Sequence, residues 1–166
     1  MITVTPSGKL YWKERTIKCA LGRSGVTHEK WEGDGCTPAG IFALQKVLYR
    51  PDRVSRPNTR LPLLEISEVD GWCDDPEHKL YNMLVVLPIA ASHEKLWRED
   101  SQYDIVVVLS HNQSPIIPYR GSAIFMHVAT ENYYATEGCV AIGLPDLKDV
   151  VSGCDPNEKI HIRSSE

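Results

Sequence analysis

The chain has 166 residues, 42% of them hydrophobic and 24% charged. That is enough apolar material for one domain with a sizeable core and no disulfide staples. The formal net charge of -4, from 18 basic and 22 acidic side chains, leaves no footprint for nucleic acid or an anionic membrane surface. No apolar run approaches the roughly 20 residues that span a bilayer, so no membrane insertion is expected. The start, Met1 to Gly8, lacks a basic stretch followed by an apolar one. The five cysteines, Cys19, Cys36, Cys73, Cys139 and Cys154, are odd in number and irregularly spaced. Both features predict reduced thiols and a cytoplasmic protein, or a periplasmic one if a leader has been removed.

Along the chain, Lys9 to Trp12 and Arg15 to Leu21 read as a hairpin. In the second segment Thr16 and Lys18 alternate with Ile17, Cys19 and Leu21. The stretch from Glu32 to Gly40 packs three glycines and a proline into nine residues and must be a loop. Ile41 to Tyr49 is apolar and fits strand or helix. Arg50 to Arg60 is an excursion, and Gly71 to Pro76 is another loop. Ser92 to Glu99 reads as one or two helical turns with Ser92 as N-cap. Asp104 to Leu109 and Ser122 to Ala129 are continuous apolar runs, the first a central strand. Leu144 to Ser152 predicts a helix, with Pro145 in its first turn and Leu147, Val150 and Val151 on one face. Lys159 to Arg163 alternates as a last strand. The sum is a mainly β, single domain over residues 1–166 with one or two short helices.

Chemistry concentrates between Ser122 and Pro145. The apolar run carries one histidine, His127, and eleven residues separate it from Cys139. Gly138 allows a tight turn beside the cysteine, so that backbone N–H groups can face a substrate oxygen. A cysteine nucleophile needs a base or a positive backbone end to lower its pKa from about 8.5. From the residues alone a second reading stays open, a buried free cysteine beside a satisfied core histidine.

The pattern His127…Gly138-Cys139-Val140 resembles the L,D-transpeptidase (YkuD) catalytic domain. There a strand histidine precedes a Ser/Thr-His-Gly-Cys-hydrophobic-Arg/Asn motif. Thr37-Pro38-Ala39-Gly40 is similar to the Thr-Pro-x-Gly segment of that family, and both segments stand in the expected order. The match looks most like a divergent, signal-less branch whose motif ends in Gly-Cys-Val/Ile-Ala. The resemblance implies a β-sandwich-like domain and a thioester on Cys139. His127 is implied as base, oriented by the carbonyl of Val128, with an oxyanion hole around Gly138 and Cys139. The implied partners are peptidoglycan stem peptides or muropeptides. Thr136 keeps the Ser/Thr position, but Glu137 and Ala141 replace the usual His and Arg/Asn. A carboxylate beside a thiol raises its pKa unless it turns away or pairs with a cation. His111, Asn112 and Arg120 are candidates to line the pocket and, with Thr136 and Glu137, to bind substrate. An L,D-carboxypeptidase or muropeptide hydrolase at the same site is an alternative within the enzyme class. A binding module that kept the fold and lost the chemistry is an alternative outside it.

Other signals carry less. Ser92-His93-Glu94-Lys95 fits S-x-x-K but lacks its companion motifs. His93-Glu94 starts like a zincin, but Trp97 stands where the second histidine belongs. Cys73 and His78 have no second ligand pair, and the Gly33 to Gly40 loop lacks a P-loop lysine. No metal or cofactor is therefore expected. The tryptophans read as anchors, with Trp72 kept as a candidate groove residue.

Overall fold

In the computed structural model, which describes residues 1–166, the chain forms fourteen strands and one helix. The strands are β1 Ile2–Thr5, β2 Lys9–Trp12, β3 Arg15–Ala20, β4 Val26–Thr27, β5 Thr37–Pro38, β6 Gly40–Tyr49, β7 Leu63–Glu65, β8 Asp70–Cys73, β9 Leu84–Val86, β10 His93–Lys95, β11 Ile105–Leu109, β12 Phe125–Val128, β13 Val140–Ile142 and β14 Lys159–Ile162. The helix α1, Leu144–Gly153, lies between β13 and β14. The mainly β expectation holds, with one helix and not two. That helix is too short to cross a membrane.

The main sheet is nine-stranded, in the order β11-β12-β13-β3-β2-β1-β14-β6-β7. It returns on itself because β6, which also pairs with the edge strand β7, is shared between β14 and β11. Residues Gly40 to Ala43 pair with β14, and Leu44 to Tyr49 pair antiparallel with β11. The register slips between Val108 and Leu109, whose partners are Lys46 and Leu44, so Gln45 is an extra residue in β6. Such a bulge bends a strand and lets it leave one neighbour for another. It also explains why Leu44 and Val47, three apart, both face the interior.

Strict alternation fills that interior. Leu10, Ile17, Cys19, Val107, Met126, Val140 and Ile160 point inward, and α1 adds Leu147, Val150 and Val151 from its i, i+3, i+4 stripe. Each large aliphatic side chain buried there stabilises the fold by roughly 1.5–3 kcal/mol. Pro145 starts the helix, and the N–H of Cys154 closes it on the carbonyl of Val150.

A second, smaller core lies on the outer face of the same sheet. Leu48, Val106, Val108 and Phe125 point outward from β6, β11 and β12. They are covered by Ile66, Trp72, Leu96 and Tyr103. Trp72 belongs to a three-stranded sheet, β10-β8-β9, that lies over this face. Two readings are corrected here. Ser92 to Glu99 is not helical: His93–Lys95 is a strand whose Glu94 pairs with Trp72 of β8, and sheet pairing overrides the helix preference of Glu, Lys and Leu. Trp72 is no groove residue. It is 2% exposed, its indole N–H donates to Asn82 Oδ1 at 3.0 Å, and its ring meets Phe125 edge-on at 5.0 Å.

Candidate active site

β12 is buried on both faces, and its alternation sorts its residues. Met126 and Val128 face the interior, while Phe125 and His127 face the outer core. β13 runs parallel to β12 with Met126 opposite Val140 and His127 opposite Ala141. Val140 points inward, so Cys139, one residue earlier, emerges on the same outer face as His127 and next to Phe125.

The turn that delivers Cys139 is tightly built. Gly138 has φ +147°, and a Cβ there would sit 2.8 Å from the carbonyl oxygen of Cys36. Only glycine fits both the backbone and the space. Thr136 clamps the turn, its hydroxyl donating to the Cys139 carbonyl at 2.7 Å and accepting from the Gly138 N–H at 3.1 Å. The Cys139 N–H makes no hydrogen bond within the fold. The loop supplying Cys36 is fixed in turn, because buried Thr37 accepts the Gly22 N–H on its hydroxyl at 2.8 Å. The two segments that stood out in the sequence thus pack against each other.

The thiol is held by the start of β12 and the residues just before it. Sγ–H donates to the Ala123 carbonyl at 3.2 Å, and the Phe125 N–H donates to Sγ at 3.4 Å. Ala123 adopts a left-handed φ of +52°, which is strained for a residue with a Cβ. Asn82 holds it there. Asn82 Oδ1 accepts the Ala123 N–H at 3.1 Å, and Nδ2 donates to the carbonyls of His111 and Asn112. Burial pushes the Cys139 thiol up to about 12, and the nearby Glu94 carboxylate adds to the rise, while the Phe125 N–H works against it.

His127 is 4% exposed. Its Nδ1 lies 2.9 Å from the Val128 carbonyl, which can only accept, so Nδ1 carries the proton and Nε2 keeps its lone pair. Burial pulls its pKa down to about 4, against the pull of that carbonyl. Tyr103 packs edge-on to the imidazole at 5.3 Å and to Phe125 at 5.9 Å. No hydrogen bond joins His127 to Cys139, whose sulfur is engaged by Ala123 and Phe125. The resting pair is a neutral thiol beside a neutral imidazole.

Cys139 and Gly138 open onto a cavity of about 210 Å³. Lys30, Glu32, Asp74, Glu94, Ser122 and the rim residue Glu137 line it. Glu137 pairs outward with Arg23 Nε at 3.0 Å, so its charge is turned from the sulfur. Ala141 is buried in β13 and has no reach into the cavity. His111, Asn112 and Arg120 stand behind the cavity and not on its wall. His111 Nε2 binds the Arg120 carbonyl at 2.8 Å, Asn112 binds Ile117 and Gly121, and the Arg120 guanidinium covers Trp31. These three shape one loop.

Sequence reasoning passed over most of the cavity wall. Glu32 anchors it by accepting hydroxyl hydrogen bonds from Tyr81 and from Ser122 at 2.8 Å. Lys30 pairs with Asp34 and donates to the Trp31 carbonyl at 2.8 Å. Glu94 accepts from the Tyr103 hydroxyl at 2.8 Å, and Asp74 Oδ1 is buried without a hydrogen bond. No local signal marked these residues, since they come from separate stretches of the chain.

No group of His, Cys, Asp or Glu side chains is arranged to hold a metal ion. No curated protein matches the sequence. A family model described as the L,D-transpeptidase catalytic domain, YkuD, matches residues 1–162, and the chain belongs to that family of enzymes.

Proposed function

We propose that the protein transfers acyl groups of peptidoglycan-type peptides through a thioester on Cys139. The observation that carries this reading is the surroundings of the sulfur. Cys139 lies against a cavity, with the Phe125 N–H directed at Sγ and its own N–H unpaired. The first stabilises a developing thiolate, and the second is a donor for the oxyanion of a tetrahedral intermediate. The family acts on peptidoglycan peptides, which supports the substrate class.

In this mechanism Sγ leaves the Ala123 carbonyl and turns toward Nε2 of His127. The imidazole takes the thiol proton as the sulfur attacks the peptide carbonyl, and returns it to the leaving amine. The Val128 carbonyl keeps the tautomer and stabilises the imidazolium. The lowered basicity of buried His127 opposes this transfer, so substrate binding must supply the drive. Attack on the thioester by an amine gives transpeptidation, and attack by water gives L,D-carboxypeptidase activity. We assign the chain to the cytoplasm, where trimming of precursor or recycled muropeptides is the natural task.

The test is acylation by a carbapenem, followed by intact mass, beside a panel of muropeptides read by mass spectrometry. One adduct on the wild type, none on Cys139→Ala, and product only with the wild type are expected. An unmodified wild type that leaves tetrapeptide muropeptides intact points to a binding module. Fusion to a compartment reporter checks the location.

A further inference from the structure

His127 is absent from the cavity wall, whereas Glu94 is part of it. A nucleophile that enters the cavity to attack a Cys139 thioester therefore meets the Glu94 carboxylate on the wall, and no imidazole. We propose that Glu94 is the general base of the second half-reaction, serving an acceptor with a primary amine. The proposal rests on the acyl-transfer reading given above.

The placement of Glu94 argues for a role in chemistry. It stands opposite Trp72 in the β10–β8 pair, so both side chains leave the small sheet on the same side. That side covers Phe125, Tyr103 and Cys139, where an apolar residue would pack at no cost. A carboxylate there loses hydration and recovers one hydrogen bond, from the Tyr103 hydroxyl. No salt bridge offsets its charge, since Lys30 is committed to Asp34 and Arg98 to Asp100. Desolvation raises its pKa above the ordinary carboxylate value, against the hydrogen bond from Tyr103, which favours a role in proton transfer. A second acceptor on the same wall, Asp74 Oδ1, is buried and makes no hydrogen bond. Two carboxyl groups on one wall, neither of them in a salt bridge, suit an incoming ammonium.

The acceptor ammonium gives one proton to solvent. The neutral amine attacks the thioester carbon, forming a C–N bond, and its excess proton passes to the Glu94 carboxylate. The C–S bond then breaks, the electron pair stays on Sγ, and Glu94 returns the proton to that sulfur. An amide, a free thiol and an ionised Glu94 remain. His127 serves acylation and Glu94 serves deacylation.

The experiment separates the half-reactions. Carbapenem acylation and turnover of a tetrapeptide donor with a diamino acid acceptor are followed by intact mass. With Glu94→Gln, acylation is expected within about 3-fold of the wild type. Turnover should fall roughly 10²- to 10³-fold while acyl-enzyme accumulates. Equal losses in both steps, or unchanged turnover, overturn the proposal. Tyr103→Phe provides an independent arm. Removing the hydroxyl donor raises the Glu94 pKa, so the rising limb of deacylation against pH should move to higher pH while acylation stays in place. Lys30, Glu32, Asp74, Arg98 and the Cys139 thiol also face Glu94 and are unchanged in that variant. An unmoved limb overturns the proposal. A wild type that forms no adduct at all sinks the acyl-transfer reading instead.

Discussion

The two faces of the β11–β12 pair are one sequence apart and chemically opposed. The inner face, with Val107, Met126 and Val128, is sealed, apolar and joined to the helix stripe. The outer face, with Val106, Phe125 and His127, is just as buried but shares its space with a thiol, an imidazole, a tyrosine and a carboxylate. The contrast teaches that burial here serves two ends. Inside it stabilises the fold, and outside it holds a thiol and an imidazole in their neutral forms at a cost to stability.

Substitution at adjacent positions is the strongest way to break this comparison. Met126→Ala should cost about 2–5 kcal/mol in urea unfolding and leave carbapenem acylation per folded molecule within about 2-fold. Phe125→Ala should cost about 3–5 kcal/mol and also slow acylation 10-fold or more, because the ring packs against Tyr103 and Trp72 around the sulfur. Equal effects on acylation would erase the distinction between the faces.

Acid stability sharpens it. His127 titrates near 4 in the fold against an ordinary 6.5. Between those pH values the unfolded chain binds a proton that the native one refuses, so stability falls as pH falls, by about 3 kcal/mol across the window. His127→Asn should remove that slope. The raised pKa of Glu94 acts with the opposite sign, since the native state binds its proton first as pH falls. The comparison must therefore be wild type against variant.

A smaller effect is expected at Gly138. Gly138→Ala should cost about 1–3 kcal/mol through its φ of +147° and the Cys36 carbonyl. Acylation should fall with it, as the turn can no longer deliver Cys139. Smallest is Glu137→Gln, below about 1 kcal/mol and 2-fold in rate, since its pair with Arg23 is exposed.

What the sequence disclosed follows the same division. The walls of the closed sheet were legible because period-2 alternation at Arg15 to Leu21 and Lys159 to Arg163 records one buried face. The helix was legible from Pro145 and its stripe. Cys139, His127 and the glycine turn stood out because their spacing is local. The small sheet was not legible, since Glu94, Lys95, Leu96 and Trp97 favour helix until β8 pairs with them. The cavity wall was hidden for a different reason. Lys30, Glu32, Asp74 and Glu94 come from two loops and a strand, and no local pattern records that they meet. His111, Asn112 and Arg120 stand out as polar residues near a strand end, but His111 and Asn112 satisfy backbone groups of their own loop and the Arg120 guanidinium covers Trp31.

The thiol hydrogen bond to the Ala123 carbonyl has a consequence for chemical survival. Peroxide and soluble electrophiles react with thiolates, and a sulfur held protonated offers them little. Cys139 should withstand oxidants that consume exposed cysteines. It becomes a nucleophile only for a molecule that fills the cavity and frees it from Ala123. General alkylation rates are therefore a poor gauge of this enzyme, and shape-matched acylators are the proper one.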